Sequence, residues 1–243
     1  MSLYTIADLH LSGKTPKPMD IFGSRWQDHA EKIAKSWRAI VDPEDTVILP
    51  GDISWALSLE DAMVDFRWID ELPGKKLIGK GNHDFWWATV SKMKKAFADE
   101  KITTIDFLYN NAFETEDYVV CGTRGWYMDE RQQNTVNETD YEKIVARENQ
   151  RLALALDSAV PLREATGKPI LVFFHFPPVF KDFVCKPLLD TMHRYGVDRC
   201  YYGHIHGIYS IPPSEGYDGI RCTIISADYL NFVPRIIPPP DET

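Results

Sequence analysis

The sequence predicts a single α/β domain, and three observations lead to this prediction. Short apolar runs typical of buried strands alternate with longer amphipathic runs typical of helices. Polar groups able to bind a metal follow directly after several of the strand-like runs, which is where an α/β sheet collects its ligand groups. The 243 residues suffice for one domain with a sizeable core, and we find no linker or internal repeat within 1–243.

The strands and helices can be assigned in order along the chain. The expected strands cover 3–7, 46–49, 76–79, 104–110, 118–122, 169–174 and 198–202, with two closing strands within 220–237. The expected helices, which carry apolar residues at helical spacing, cover 28–41, 60–72, 85–98, 138–160 and 185–195. Asp28 is the expected cap of the first helix, and Pro73 and Gly74 end the second. Residues 12–25 and 127–138 are loops by composition, and the first is either a lid or a plain connector.

Composition and charge argue against several classes of protein. With 44% hydrophobic and 26% charged residues, the chain has the composition of an ordinary globular domain. The net charge of -9 leaves no basic stripe for a nucleic acid backbone, and no apolar run approaches the ~20 residues of a membrane span. The four cysteines lack metal-site spacing and are expected to be buried thiols. The chain enters a strand at once, without room for a signal peptide, so we expect a cytoplasmic protein.

Five short stretches carry residues typical of a metal site. They are Asp8-Leu9-His10, Gly51-Asp52, Gly81-Asn82-His83-Asp84, His175 before two prolines, and Gly203-His204-Ile205-His206-Gly207. Each stretch alone has an ordinary structural explanation, such as a turn, a capping residue or a core histidine. However, five of the seven histidines fall in these stretches, each beside Gly, Asp or Asn or at a strand end. Carboxylate, imidazole and amide ligands suit Mn, Fe or Zn better than they suit a metal that prefers thiolate ligands. The set therefore predicts one dinuclear site.

The spacing within the stretches suggests how the ligands converge. Alternation along a strand places Asp8 and His10 on one face, and it does the same for His204 and His206. The Asp52 carboxylate is able to bridge two cations, and the glycine before it permits a close approach of the backbone.

Some polar and aromatic side chains admit two interpretations. Arg124 follows another strand-like run, and it is either a phosphate ligand or one half of a surface salt bridge. Trp55, Trp86 and Trp126 could stack on a base or aryl group of a substrate, although packing is the simpler explanation for each.

Taken in order, these motifs resemble those of the calcineurin-like metallophosphoesterases, and the resemblance runs from Asp8 to His206. It implies a four-layer αββα sandwich of two mixed β-sheets flanked by helices, with two divalent or trivalent metal ions at the strand ends. Carried over by position, it implies that one ion is bound by Asp8, His10, Asp52 and His206. The other would be bound by Asp52, Asn82, His175 and His204. Mn is our first choice of metal, with Fe and Zn as alternatives.

The resemblance also implies a reaction. Two cations about 3.5–4 Å apart clamp a phosphate and lower the pKa of a bridging water, so that hydroxide attacks phosphorus. His83 would face the substrate and protonate the leaving oxygen, with Asp84 orienting its imidazole. Arg124 would add charge stabilisation. We therefore expect a metal-dependent phosphohydrolase acting on a small phosphate ester, a nucleotide among the candidates, with a phosphodiester favoured.

Three alternatives remain open at this point: a small-molecule phosphomonoesterase, a nuclease of the same fold, and a non-catalytic interaction module. The protein Ser/Thr phosphatases of this superfamily have Asp-Arg after Gly-Asp and Glu after Asn-His. Here Ile53-Ser54-Trp55 and Asp84 occupy those places, a pattern more similar to bacterial phosphodiesterases and small phosphohydrolases. A nuclease would need a basic groove, and a non-catalytic module should show gaps among the ligands; the sequence shows neither.

Overall fold

The computed structural model describes residues 1–127 and 138–240. The strands are β1 (Leu3–Thr5), β2 (Thr46–Leu49), β3 (Lys75–Ile78), β4 (Ile105–Phe107), β5 (Ala112–Glu114), β6 (Val119–Thr123), β7 (Ile170–Phe174), β8 (Val179–Phe180), β9 (Phe183–Val184), β10 (Arg199–Tyr202), β11 (Ser214–Tyr217), β12 (Ile220–Ile224) and β13 (Arg235–Ile237). The α-helices are α1 (His29–Ile40), α2 (Leu59–Asp70), α3 (Val90–Asp99), α4 (Glu138–Thr166) and α5 (Lys186–Arg194). Two short 3-10 helices, Met19–Phe22 and Ser24–Trp26, interrupt the loop after β1.

Most of the strands form two mixed sheets. The first has the order β13-β1-β2-β3-β4, in which only β13 runs antiparallel to its neighbour. The second has the order β11-β12-β10-β7-β6-β5, with a parallel centre and an antiparallel strand at each edge. Strands β8 and β9 form a separate hairpin. The parallel centres place the carboxyl ends of β1, β2 and β3, and those of β7 and β10, at common edges of their sheets.

The sheets stack face to face with helices outside them. Residues such as Ile48 of the first sheet and Phe173 of the second share one buried cluster between the sheets. The outer face of the first sheet packs with α1, α2 and α3 through side chains that include Trp37. The outer face of the second packs with α4 and α5 through side chains that include Leu156. Because both faces are covered, β6 and β7 are buried at every residue. The four-layer αββα sandwich is therefore confirmed.

Several predicted boundaries are wrong. The helix expected from residue 85 begins only at Val90, because the Thr89 side chain caps it by accepting a hydrogen bond from the Lys92 amide. Asp28 does precede α1, but it has a left-handed backbone and makes no capping hydrogen bond through its side chain. Helix α4 continues through Pro161 to Thr166 instead of ending at residue 160.

Some predicted features are confirmed and others lie outside the described residues. All four cysteines are free and buried, as expected. Of the loop predicted at 127–138, residues 128–137 lie outside the described part of the chain, as do 241–243 of the tail. Within the described residues, the structure contains no helix with the length and apolarity to cross a membrane.

Candidate metal centre

The candidate ligands lie on loops that follow strands of both sheets. The backbone there is unusual, since four of these non-glycine residues have a positive φ: Asp8 (63°), His10 (47°), Asp52 (52°) and His204 (69°). This region is sparsely populated by residues with a side chain, and such residues are found preferentially at functional sites. The chain therefore turns sharply at these positions.

Close backbone contacts hold the loops together. The amides of Asp8 and His10 donate to the carbonyls of Gly51 and Asp52, at 3.1 and 3.0 Å. The amide of His83 donates to Asp52 Oδ1 at 2.8 Å. Gly81 packs so tightly here that an added Cβ would lie 2.0 Å from Asp52 Oδ1. These contacts fix the positions of the first-sheet ligands relative to one another.

One group of ligand atoms is formed by Asp8, His10 and His206. Nε2 of His10 lies 3.3 Å from Nε2 of His206, which in turn lies 3.8 Å from Asp8 Oδ1. Asp52 Oδ2 lies 3.7 Å from His10 Nε2, at the edge of the same group. These four residues are the set that the resemblance implied for one metal ion.

A second group is formed by Asp8, Asp52 and His175. His175 Nε2 lies 3.6 Å from Asp52 Oδ1 and 2.7 Å from Asn82 Oδ1. The His204 ring is 5.3 Å from that of His175, measured between centroids. The resemblance implied Asp52, Asn82, His175 and His204 for the second ion, and the structure adds Asp8 to their surroundings, because Asp8 Oδ1 lies 3.7 Å from His175 Nδ1.

The buried polar atoms of the site suit a cation. Asp8 Oδ1, His10 Nδ1 and His175 Nδ1 are buried without a hydrogen-bond partner among the described residues. Burial raises the pKa of Asp8 to about 6 and lowers the pKa of His10 and His175. A bound cation requires deprotonated carboxylates and neutral imidazoles, and it compensates the burial of the carboxylate charge. The residues present therefore fit a metal ion.

Asp228 is a buried residue of the site that our sequence analysis missed. Its Oδ1 lies 2.7 Å from His206 Nδ1, and its Oδ2 accepts hydrogen bonds from the Gly207 amide and the Tyr209 hydroxyl, at 2.9 and 3.0 Å. This contact turns His206 Nε2 towards Asp8 and His10, which is the usual carboxylate–histidine arrangement at metal sites. A signal was available, because Asp228 follows β12 as the other ligands follow their strands.

His83 lies at the border of the site. Its side chain is 36% exposed, and its Nε2 is 4.0 Å from Asp52 Oδ2. Its ring is 4.3 Å from the Trp55 ring and 6.2 Å from the Phe85 ring, measured between centroids. Burial, reinforced by the charge of Lys17, lowers the pKa of His83 to about 4.

The hydrogen bonds of Asp84 differ from those expected of a residue that orients His83. Its Oδ2 accepts hydrogen bonds from the amides of Asp52 and Gly81, at 2.8 and 2.7 Å. Its Oδ1 accepts from the indole of Trp86 at 2.9 Å and from the next two amides after Asp52, at 2.8 and 3.3 Å. Because Asp84 is buried and both oxygens are engaged in this way, its contacts hold the loop that carries Asp52.

Arg124 lies beside the site but is engaged elsewhere. Its carbonyl accepts hydrogen bonds from the amides of His175 and Phe176, at 3.2 and 2.8 Å. Its guanidinium lies 3.5 Å from the buried carboxylate of Glu148, which Arg151 contacts more closely, at 2.5 Å. The salt-bridge interpretation is therefore correct as a contact, although the partner is buried and not on the surface. The Nε atom of Arg124 is buried without a hydrogen-bond partner among the described residues.

The tryptophans are used mainly for packing. Trp86 is buried in the core of the first sheet, and Trp55 is half-buried and stacks on His10 at 4.9 Å between ring centroids. Trp126 packs against the second-sheet core and lies 5.6 Å from the Phe176 ring. Only Trp55 among these three lies directly against both His10 and His83.

Comparison with known proteins agrees with this geometry. Residues 1–207 match the family model of the calcineurin-like phosphoesterases. The chain therefore belongs to this family of metallophosphoesterases, and it is a hydrolase acting on phosphate esters with candidate ligands for the family's dinuclear metal site.

Similar proteins extend the comparison. The chain is 33% identical over 78 residues to the Gene 66 protein of Mycobacterium phage L5, a match that covers 32% of this chain and only 37% of that protein. A phosphopantetheinyl hydrolase from Mycobacterium tuberculosis has a similar fold, with a TM-score of 0.54, 16% identity, and coverage of 100% of this chain and 97% of that one. A protein of unknown function from Aquifex aeolicus gives a TM-score of 0.51 at 15% identity, covering 97% and 95%. At these identities the structural likeness shows the fold alone.

Proposed function

We propose that the protein is a dinuclear metal-dependent phosphohydrolase that cleaves a phosphodiester bond of a small substrate. The observation that carries the proposal is the position of Asp52 between two groups of ligand atoms. Its Oδ2 faces His10 at 3.7 Å, and its Oδ1 faces His175 at 3.6 Å. A carboxylate with one oxygen towards each group is placed to bridge two cations.

The remaining ligands divide between two ions in this proposal. Asp8, His10 and His206 complete one set around Asp52, and Asn82, His175 and His204 complete the other. When bound, two such cations neutralise phosphate charge and activate water as the nucleophile. The protein supplies the orientation, since Asp228 fixes the His206 ring and Asp84 fixes the Asp52 loop.

We propose His83 as the proton donor to the leaving oxygen. Because its pKa is lowered to about 4, it would carry this proton only when the negative charge of a bound phosphate raises that pKa. His83 is partly exposed, and its Nε2 lies 4.0 Å from Asp52 Oδ2, so a phosphate held between the ligand groups would lie within its reach. General acid catalysis of this kind contributes about 10²–10⁴-fold to the rate. His83 is thus assigned a role in turnover and none in metal binding.

We favour a diester over a monoester because its phosphate needs less positive charge from side chains at the metal ligands. A monoester carries up to two negative charges on its phosphate, whereas a diester carries one. The guanidinium of Arg124 is already directed to Glu148, so we give it at most a secondary role in binding substrate. We also propose Mn as the native metal and a cytoplasmic location, the latter because four unpaired cysteines suit a reducing compartment.

The test is metal-dependent hydrolysis of bis-p-nitrophenyl phosphate and p-nitrophenyl phosphate, with Mn²⁺ added back after chelation. We expect faster cleavage of the diester. His83→Ala should retain two metal equivalents and lose about 10²–10⁴-fold in turnover, while Asp52→Asn should lose metal and activity together. His193→Ala is the matched control, because His193 is exposed and pairs with Asp218 at 3.4 Å, outside the ligand groups.

Each result has a defined meaning. Faster monoester cleavage would indicate a small-molecule phosphatase instead. Absence of metal-dependent turnover of both esters would refute the proposed activity on them. Normal metal content and rate in Asp52→Asn would remove the bridging role. Full activity of His83→Ala on an ester with a poor leaving group would remove the acid role.

A further inference from the structure

We infer that a pocket beside His83 binds the leaving group of the substrate, and that this leaving group has an apolar or aromatic body and a negative charge of its own. The pocket lies between the loop 12–17 and the segment 55–57, with Phe85 at its border. This inference rests on the proposed function and specifies the substrate class of the same site.

The pocket has the size and the lining of a small-molecule subsite. Its volume is about 390 Å³, and Pro16, Trp55, Leu57 and Phe85 form its apolar wall. Leu57 is 77% exposed and Phe85 is 60% exposed. Large apolar side chains grouped beside a reactive centre provide a surface that an organic group can cover.

His83 connects this pocket to the metal centre. On one side its Nε2 lies 4.0 Å from Asp52 Oδ2, and on the other its ring contacts Trp55 and approaches Phe85. In the proposed reaction the leaving oxygen faces His83. The organic group attached to that oxygen is therefore directed into the pocket, and the rest of the phosphate stays with the metal ligands.

Two lysines give the pocket its preference for negative charge. Lys14 and Lys17 line it, and Lys17 Nζ lies 2.9 Å from the centroid of the Trp55 ring, as a cation–π contact. The loop that carries them is held in place, since the Lys17 amide donates to Ser12 Oγ at 3.1 Å. Both ammonium groups therefore lie beside the apolar wall.

The two carboxylates that also line the pocket are engaged with neighbouring groups. Asp65 is buried and accepts hydrogen bonds from the Gly13 amide, at 2.8 Å, and from the Ser54 hydroxyl. Asp61 accepts one from the Ser58 hydroxyl at 2.8 Å. These hydrogen bonds leave the charge of the carboxylates in place but hold both of them against neighbouring segments. Neither Lys14 nor Lys17 forms an ion pair with a carboxylate among the described residues, so both ammonium groups are available to pair with a charged ligand.

The experiment compares two methyl phosphodiesters whose leaving groups are 4-nitrophenol and 3-carboxy-4-nitrophenol. The values of kcat/KM are measured for the wild type, Lys14→Ala/Lys17→Ala and Phe85→Ala, with metal content recorded for each. The control is Lys35→Ala/Lys92→Ala, which removes the same charge from exposed positions on α1 and α3. Each variant is compared with the wild type on the same substrate, so that the intrinsic reactivity of the leaving group cancels.

We expect the Lys14/Lys17 variant to lose about five- to tenfold more kcat/KM on the carboxylated ester than on the uncharged one, as two partly exposed ion pairs would give. Phe85→Ala should lower kcat/KM on both esters at unchanged metal content. Equal losses on the two esters in the lysine variant, or the same selective loss in the control, would overturn the charge preference. Wild-type kcat/KM on both esters in Phe85→Ala would overturn the pocket itself.

A binding measurement keeps this inference separate from the proposed function. The free 3-carboxy-4-nitrophenol is titrated calorimetrically into the Mn²⁺-loaded protein, which needs no turnover. We expect the Lys14/Lys17 variant to bind it several-fold more weakly than the wild type and the control. Binding of the phenol without turnover of the esters would support the pocket and refute the proposed activity. Turnover without binding of the phenol would support the activity and refute the pocket.

Discussion

Among single residues, Asp84 is the clearest case of a polar side chain whose role is set by its contacts and not by its motif. It stands next to the candidate acid His83 in sequence, but its oxygens accept hydrogen bonds from four backbone amides and one indole. Such a carboxylate satisfies buried donors that would otherwise cost about 1–3 kcal/mol each. Its contribution is therefore to the stability of the Asp52 loop.

We predict that Asp84→Asn lowers the free energy of unfolding by about 2–4 kcal/mol, because the new amide group would face donors instead of accepting from them. Urea unfolding of the metal-free protein measures this. His83→Ala is the comparison, and we expect it to cost less than about 1 kcal/mol, since the His83 side chain is partly exposed. If Asp84→Asn had wild-type stability but lost turnover, the result would support the original expectation that Asp84 orients His83.

Asp228 gives a second prediction for a single residue. Replacing it with Asn removes the negative charge beside His206 Nδ1. It also introduces an NH₂ group, which cannot accept the hydrogen bond from the Gly207 amide. We expect Mn²⁺ affinity to fall about 10–100-fold, as is typical when the partner of a ligand histidine is changed. Calorimetric titration of the metal-free protein measures the affinity directly. Tyr209→Phe, which removes one hydrogen bond to Asp228 but leaves the histidine contact, should change it little; an equal loss in both variants would contradict the assignment.

The sequence correctly predicted that the ligand residues lie close together, but the structural reason that we gave for it was wrong. Alternation along a strand was expected to align Asp8 with His10, yet β1 ends at Thr5 and both residues have a positive φ. They meet His206 because the chain turns after the strand. Asp and His are enriched among non-glycine residues with a positive φ, but the residue type alone does not show at which Asp or His the chain turns.

At the scale of elements, the loops after β2 and β3 are packed so closely that each requires a glycine, Gly51 in the first and Gly81 in the second. A Cβ at Gly81 would lie 2.2 Å from the Asp52 amide nitrogen as well as against its carboxylate. We predict that Gly81→Ala displaces Asp52, lowers stability by about 1–3 kcal/mol and weakens metal binding. Thermal unfolding and Mn²⁺ titration are the measurements.

Gly216→Ala is the control for this prediction, because an added Cβ there meets nothing within 4 Å. It should leave both stability and Mn²⁺ affinity close to wild type. Unchanged metal affinity in Gly81→Ala would show that the loop adapts without moving Asp52.

Long helices and central strands were predicted more accurately than short strands at the edges of the sheets. Long amphipathic segments such as α1 and α2, and the central strand β2, were predicted within two residues, because burial imposes their pattern. The edge strands β5 and β11 were missed, since they are only partly buried and their sequences carry little alternation. The start of α3 was misplaced because a threonine cap, and not the apolar pattern, decides where it begins.

For the whole molecule, the order of the strands could not be predicted from local sequence patterns. Both sheets join strands that are distant in sequence, such as β1 with β13 and β6 with β7. The choice of these neighbours depends on tertiary packing, and only the family resemblance supplied the sandwich. The arrangement brings the loops of the two sheets together, so that Asp8 and His10 from one meet His206 from the other.

Because the ligands come from both sheets, metal binding should stabilise the entire domain. A ligand that binds only the folded state adds about 2.7 kcal/mol at a concentration of 100 Kd, which corresponds to roughly 5–10 °C in Tm for a chain of this length. We therefore predict that Mn²⁺ raises the Tm of the chelator-treated protein by this amount in one cooperative transition. Scanning calorimetry measures it, with His193→Ala expected to keep the shift and Asp52→Asn to lose most of it. The same Tm with and without Mn²⁺, or an equal shift in Asp52→Asn, would mean that these residues do not form the metal site of the folded protein.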